Sequence, residues 1–146
     1  MRRVAIVLGT ALATVTAGVL TGCGSERPAA ASHATVIRVS ERDFQIVVRP
    51  KRFAAGEVRV VFDNSGPDDH ELIIVRAERP TLPLRADGLT VNEEALRPVT
   101  VATVEPMAPG SAREVRLRLA PGRYSVFCNM AGHFMAGMHA SFVVGS

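Results

Sequence analysis

Eight short runs of β-branched and other apolar residues, bounded by Pro, Gly or charged residues, are the sequence feature that most restricts the fold. Such runs, separated by turn residues, are typical of β-strands. They cover residues 36–39, 44–48, 58–62, 71–75, 99–104, 113–119, 123–127 and 139–144. In the run 113–119, Val115, Leu117 and Leu119 face one way and charged residues the other. The series predicts an all-β sandwich or barrel of about eight strands.

Helix is expected at one place only. Asn92 can cap a helix over residues 93–96, and Pro98 would stop it. The sequence 120–122, Ala-Pro-Gly, predicts a tight turn between two strands. Residues 76–98, rich in Arg and Pro, form a long connection to which the sequence assigns no role.

The N-terminus has the pattern of a secretory signal, because Arg2 and Arg3 precede an uncharged stretch over residues 4–20. At 17 residues with internal Gly and Thr, the stretch is marginal for crossing a hydrocarbon core of about 30 Å. Residues 20–23, Leu-Thr-Gly-Cys, resemble the bacterial lipobox, in which the cysteine is acylated and the signal is cleaved before it. The alternative for Cys23 is a free thiol beside an ordinary cleavage site.

These features divide the chain into a lipoprotein signal peptide over 1–22, a flexible tether over 23–33 with lipid on Cys23, and one domain over 34–146. The expected location is extracytoplasmic, with the protein held at the cell membrane by its lipid as a monomer. Cys128 then has no intrachain disulfide partner, and a lone thiol in a secreted protein requires an explanation.

Charge and composition exclude a nucleic-acid surface. The chain has 17 basic and 14 acidic residues, and removal of Arg2 and Arg3 lowers the net charge from +3 to about +1. No basic cluster is interleaved with aromatic residues, and there is no Trp.

A candidate metal-binding loop covers residues 128–138, in which Cys128, His133 and Met138 follow one another at intervals of five residues. Glycines at 132 and 137 permit the tight backbone path that such a loop needs. Soft sulfur stabilises Cu(I) and imidazole accommodates Cu(II), so the donor set favours copper. His70, which opens an apolar strand, is the best candidate for a fourth ligand. Two histidines and a cysteine with a weak axial methionine form a type 1 copper site.

With these residues the sequence resembles the cupredoxins, the blue copper proteins, and its Cys-x4-His-x4-Met loop is of the azurin and sulfocyanin type. Segments 43–44, 64–66, 70–71, 124–128 and 137–140 also carry the resemblance. It implies a Greek-key β-sandwich with one copper ion on His70, Cys128, His133 and Met138. It also implies single-electron transfer between redox partners such as a cytochrome or a terminal oxidase. A binuclear copper centre is excluded, because it needs a second loop cysteine where Gly132 stands.

Two other functions use the same side chains. An extracytoplasmic copper carrier or storage protein would have identical ligands and is the alternative to electron transfer. Zinc can take two histidines, a cysteine and a water, but zinc sites rarely use a thioether such as that of Met138. An enzyme is not expected, because the sequence offers no open metal position and no Ser/His/Asp arrangement.

The residues between the ligands carry no charge, which predicts an apolar patch above the metal. We expect His133 to be the electron port, with Phe134 and Met135 as docking residues around it. His139 should point away from the site, because strand alternation places it opposite Met138. Asn64 is expected to hold a turn through its side-chain amide.

Overall fold

The computed structural model describes residues 34–77 and 81–146. The predicted signal peptide, the lipidation site Cys23 and the tether lie outside the described residues. In the part that is described, the strands are β1 (Thr35–Arg42), β2 (Gln45–Arg49), β3 (Arg52–Ala54), β4 (Gly56–Asn64), β5 (His70–Arg76), β6 (Thr100–Met107), β7 (Ala112–Leu119), β8 (Gly122–Phe127) and β9 (His139–Gly145). Within these described ranges there is one helix, α1 (Glu93–Leu96), followed by a 3-10 turn, Arg97–Val99.

The strands form two sheets that pack face to face. The four-stranded sheet has the order β2-β1-β4-β7, and the five-stranded sheet has the order β3-β9-β8-β5-β6. Strand pairs β1/β4 and β3/β9 are parallel, and the other pairs are antiparallel. Buried residues of both sheets join in one core, so the predicted β-sandwich is confirmed. No helix among the described residues is long and apolar enough to span a membrane.

Alternation along the strands builds the core. Val39 of β1 lies beside Phe62 of β4, and both are buried. On the other sheet, the ring of Tyr124 stacks on Phe142 with centroids 5.2 Å apart and planes at 7°. The Tyr124 hydroxyl donates a hydrogen bond of 2.9 Å to the carbonyl oxygen of Ala120, which ties β8 to the turn before it.

All eight predicted strands are present, and the structure adds β3. This strand has three residues and pairs with β9 at a sheet edge. Three residues are too few to show the alternation of apolar and polar residues by which a strand is recognised in a sequence. The helix begins and ends as predicted, with the Asn92 side chain accepting from the backbone N–H of Ala95.

The described part of the connection that had no assigned role, from residue 81 onward, covers the outer face of the five-stranded sheet. Residues 72–75 of β5 are all buried, because this strand is covered on both faces. Ile73, Val75 and Phe127 form a second apolar cluster with Val91 and Leu96. We call residues 81–99 the covering segment.

Asn129, which directly follows Cys128, joins the covering segment to the candidate metal-binding loop. Its side-chain Oδ1 accepts a hydrogen bond of 2.6 Å from the Val91 N–H. Its Nδ2 donates to the Val91 carbonyl at 3.1 Å and to Glu93 Oε1 at 2.6 Å. The amide therefore pairs with Val91 as a neighbouring strand would.

Replacing Asn129 with Ala should lower the free energy of unfolding by about 2 to 3 kcal/mol, since it leaves the buried Val91 N–H and carbonyl without their partner. Urea unfolding of the metal-free protein measures this loss. The matched control is Asn92→Ala, which removes only a helix cap and should cost about 1 kcal/mol. Equal losses in the two variants would contradict the role given to Asn129.

Candidate metal centre

Three of the four predicted ligands meet at one end of the sandwich. His70, Cys128 and His133 each offer a donor atom, and these atoms all lie within 4.8 Å of one another. Cys128 Sγ is 3.5 Å from His133 Nδ1 and 3.9 Å from His70 Nδ1. His70 and Cys128 are fully buried, whereas His133 is partly exposed.

His70 is fixed by the strand that it opens and by the turn before it. In the ladder between β5 and β6 it lies opposite Met107. Asn64 Nδ2 donates to the carbonyl oxygens of Met107 and Asp68, at 2.7 and 2.9 Å. Asn64 Oδ1 accepts from the N–H of Gly66 at 3.0 Å. Asn64 thus holds the turn, as its side chain was expected to do.

The loop of residues 128–138 closes on itself through backbone hydrogen bonds. The Cys128 N–H donates to the Met138 carbonyl at 3.1 Å, and the Met138 N–H donates to the His133 carbonyl at 3.0 Å. Gly132 and Gly137 have φ of 84° and 110°, so both stand where a residue with a side chain would be strained. Met138 is fully buried in the core that includes Cys128, whereas His139 is exposed, as alternation predicts.

The donor distances fit a single metal ion shared by the three side chains. Three donors at about 2.1 Å from a central ion lie about 3.6 Å apart. The two sulfur–nitrogen distances, 3.5 and 3.9 Å, bracket that value. Two imidazoles and a thiolate, with the thioether of Met138 next in the same loop, form the donor set of a type 1 copper site.

In the metal-free protein, burial favours the uncharged forms of both Cys128 and His70. Burial raises the pKa of the Cys128 thiol to about 11, although backbone N–H groups of Glu71 and Met130 partly offset this. Burial and the nearby His133 lower the pKa of His70. A bound cation would favour the thiolate, so that binding would release the Cys128 proton. A neutral His70 already presents a lone pair to the ion.

Two residues of the site had no role in the sequence analysis, although both belong to its segment 43–44. The Asp43 Oδ1 atom is 3.0 Å from His70 Nε2. The Phe44 ring meets His133 edge-on, with centroids 5.7 Å apart and planes at 88°. Their turn between β1 and β2 therefore contacts both histidines. The residue types alone, an Asp and a Phe in a hairpin turn, do not predict such contacts.

Glu41 is a buried carboxyl that sequence reasoning missed. It lies on the inner face of β1, beside Asn64 in the register with β4. Its side chain is fully buried, and neither carboxylate oxygen has a hydrogen-bond partner among the described residues. Burial, with a smaller contribution from the charge of Glu71, raises the pKa of Glu41 to about 8. Glu41 is therefore protonated at neutral pH.

The predicted docking residues differ in exposure. Met135 is 54% exposed, whereas Phe134 is partly buried between Phe127 and His139, with ring centroids 5.8 and 5.0 Å away. Two further exposed apolar residues border the loop. Phe44 contacts His133, and the Leu89 carbonyl accepts a hydrogen bond from the Gly132 N–H at 3.4 Å.

No protein-family model matches the sequence, and no significant match exists among curated proteins. Solved structures do match. A dithionite-reduced auracyanin from Roseiflexus castenholzii has a TM-score of 0.56 and 21% identity, over 77% of this chain and 98% of its own. Auracyanin A from Chloroflexus aurantiacus, a "blue" copper protein, has a TM-score of 0.55 and 18% identity, over 77% of this chain and all of its own.

Rusticyanin from Thiobacillus ferrooxidans has a TM-score of 0.53 and 16% identity, over 77% of this chain and 79% of its own. At these identities the likeness establishes a shared fold.

Glu41 gives the metal-free protein a stability that falls as pH rises. Between pH 6.5 and 8 the folded protein keeps the Glu41 proton while the unfolded chain has lost it, so the free energy of unfolding should fall by up to about 1.4 kcal/mol per pH unit. This window lies above the range in which His70, with its lowered pKa, titrates. Glu41→Gln should flatten the slope in urea unfolding at several pH values. A variant slope equal to that of the wild type would contradict a buried, protonated Glu41.

Proposed function

Because the chain has the cupredoxin fold of auracyanin and rusticyanin, we propose that it is a type 1 copper protein that carries single electrons. The observation that carries the proposal is the meeting of Cys128 Sγ with the Nδ1 atoms of His70 and His133, at 3.9 and 3.5 Å. Two strands and one closed loop hold these donors in place.

Bound copper would supply a one-electron couple between Cu(II) and Cu(I). The protein would limit the movement of the ligands when the oxidation state changes. His70 is fixed by β5 and the turn before it. Cys128 is fixed by β8 and by the hydrogen bond from its N–H to the Met138 carbonyl, which closes the loop. Full burial of both side chains would exclude water from this side of a bound ion. A rigid donor set that is shielded from water suits electron transfer, because few groups must rearrange when the charge of the bound ion changes.

His133 is the proposed electron port. It is the one partly exposed member of the three donors that meet, and its ring contacts Phe44. We define the docking patch as Phe44, Leu89 and Met135, all at least half exposed, together with His133. The three apolar residues carry no charge, which favours a small, transient interface with a redox protein such as a cytochrome or a terminal oxidase.

The same proposal places the domain outside the cytoplasm, as a monomer on a lipid anchor. Its support is the sequence pattern of residues 1–23, which ends in Cys23. A tether over 23–33 would let the docking patch reach partners at the membrane surface.

The first test is the visible spectrum of residues 24–146 loaded with Cu(II). An intense blue thiolate-to-copper band is expected, and Cys128→Ser should abolish it because serine offers no thiolate. His139→Ala is the matched control: this exposed histidine follows Met138 directly but points away from the site, so its variant should keep the band. A pale wild-type spectrum would rule out the type 1 site and favour copper carriage or zinc.

Retention of copper separates electron transfer from copper delivery. A carrier gives up its ion to a competing chelator, whereas the burial of His70 and Cys128 should make this site retain copper through repeated reduction and oxidation. Rapid loss to the chelator in either oxidation state would favour the carrier function.

The docking patch is tested by Met135→Asp. Electron exchange with a protein partner such as a c-type cytochrome should slow about tenfold, which is about 1.4 kcal/mol of lost association, because a charge enters an apolar contact. Exchange with a small redox mediator should change little. Val101→Asp places the same charge on exposed strand β6 as a control. Equal slowing in both variants, or none in Met135→Asp, would contradict the patch.

A further inference from the structure

We propose that Asp43 is a positioning residue that lowers the reduction potential of the copper site through its hydrogen bond to His70. The inference rests on the proposed function and adds a determinant of potential outside the four ligands.

The two ring nitrogens of His70 have separate partners. Nδ1 faces Cys128 Sγ at 3.9 Å, and Nε2 lies 3.0 Å from Asp43 Oδ1. A neutral imidazole carries one proton, and the carboxylate can only accept a hydrogen bond. The proton therefore lies on Nε2, and the lone pair of Nδ1 is directed into the metal site. Asp43 thus selects the tautomer that can bind a metal ion.

The chain leaves room for this hydrogen bond at Gly66. A Cβ atom on Gly66 would lie 2.8 Å from His70 Nε2 and 2.9 Å from Asp43 Oδ1. Both distances are too short for real contacts. Gly66 does not have a positive φ, so its requirement here is space and not backbone conformation. The turn before β5 and the turn between β1 and β2 are therefore fitted around one histidine–carboxylate pair.

The charge of Asp43 acts on the ion through a short, poorly hydrated path. His70 is fully buried, and the Asp43 side chain is 23% exposed. A carboxylate hydrogen-bonded to the imidazole makes its other nitrogen more basic and stabilises the more positive metal state. The Asp43 charge stabilises the oxidised copper site more than the reduced one, so the reduction potential falls.

The measurement is the equilibrium of electron exchange between the copper-loaded protein and a mediator of known potential. Asp43→Asn keeps the oxygen acceptor and removes the charge, so the equilibrium should shift toward the reduced protein by about tenfold, or about 59 mV for one electron. Asp69→Asn is the matched control. It removes the same charge from an exposed residue next to His70, and screening should hold its shift below about threefold.

Gly66→Ala tests the hydrogen bond while leaving the charge in the molecule. Its Cβ should separate His70 from Asp43 and shift the equilibrium in the same direction as Asp43→Asn. A second readout needs no copper: in the metal-free protein, the His70 Nε2 proton should exchange with solvent more slowly than the ring proton of His133, and Gly66→Ala should remove that difference.

The outcomes separate this inference from the proposed function. A wild-type protein without the blue band overturns both. A blue wild-type protein in which Asp43→Asn leaves the equilibrium unchanged, or moves it no further than Asp69→Asn does, overturns the role of Asp43 alone. A normal spectrum with the tenfold shift, and with rapid exchange of the His70 proton in Gly66→Ala, supports it.

Discussion

The approach of one buried sulfur to two imidazole nitrogens is the constraint on which the rest of the structure depends. Cys128 Sγ lies 3.5 Å from His133 Nδ1 and 3.9 Å from His70 Nδ1, although polar side chains are more stable when hydrated. Only rigid supports can hold them there. His70 is supported by β5 and by the turn that Asn64 holds. Cys128 is supported by β8 and by its backbone hydrogen bond to Met138. The sheets therefore serve as the frame of the centre.

The electrostatic surroundings of the centre are acidic. Asp43 contacts His70, and the carboxyls of Glu41 and Glu71 both have pKa values raised by burial. Glu41 and Glu71 also raise the pKa of Cys128, since negative charges disfavour another one nearby. A cation in the site would compensate the negative charge of the Cys128 thiolate and so offset this repulsion. Stability of the metal-free domain and affinity for a positive ion are therefore linked through the same groups.

Local periodicity predicted most of the fold, and donor chemistry predicted which side chains meet at the candidate metal centre. The eight strands follow from runs of β-branched residues, and the loop ligands are close in sequence. The missing parts depend on contacts between distant segments. Asp43 reaches His70 across 27 residues, and Asn129 reaches Val91 across 38. Glu41 looks like any strand residue, because its burial is decided by the opposite sheet. No periodic signal encodes such pairings.

The strand order of the five-stranded sheet has a consequence for how the protein is made. β9 lies between β3 and β8, and its parallel pairing sets Phe53 against Val144. The ladder therefore joins segments that are far apart in the sequence. Bringing them together costs loop-closure entropy before their hydrogen bonds can stabilise the fold. A chain still emerging from a ribosome lacks β9 until residues 139–145 have been made. The loop before β9 has no second support until the strand arrives. The five-stranded sheet and the closure of the 128–138 loop therefore both depend on β9.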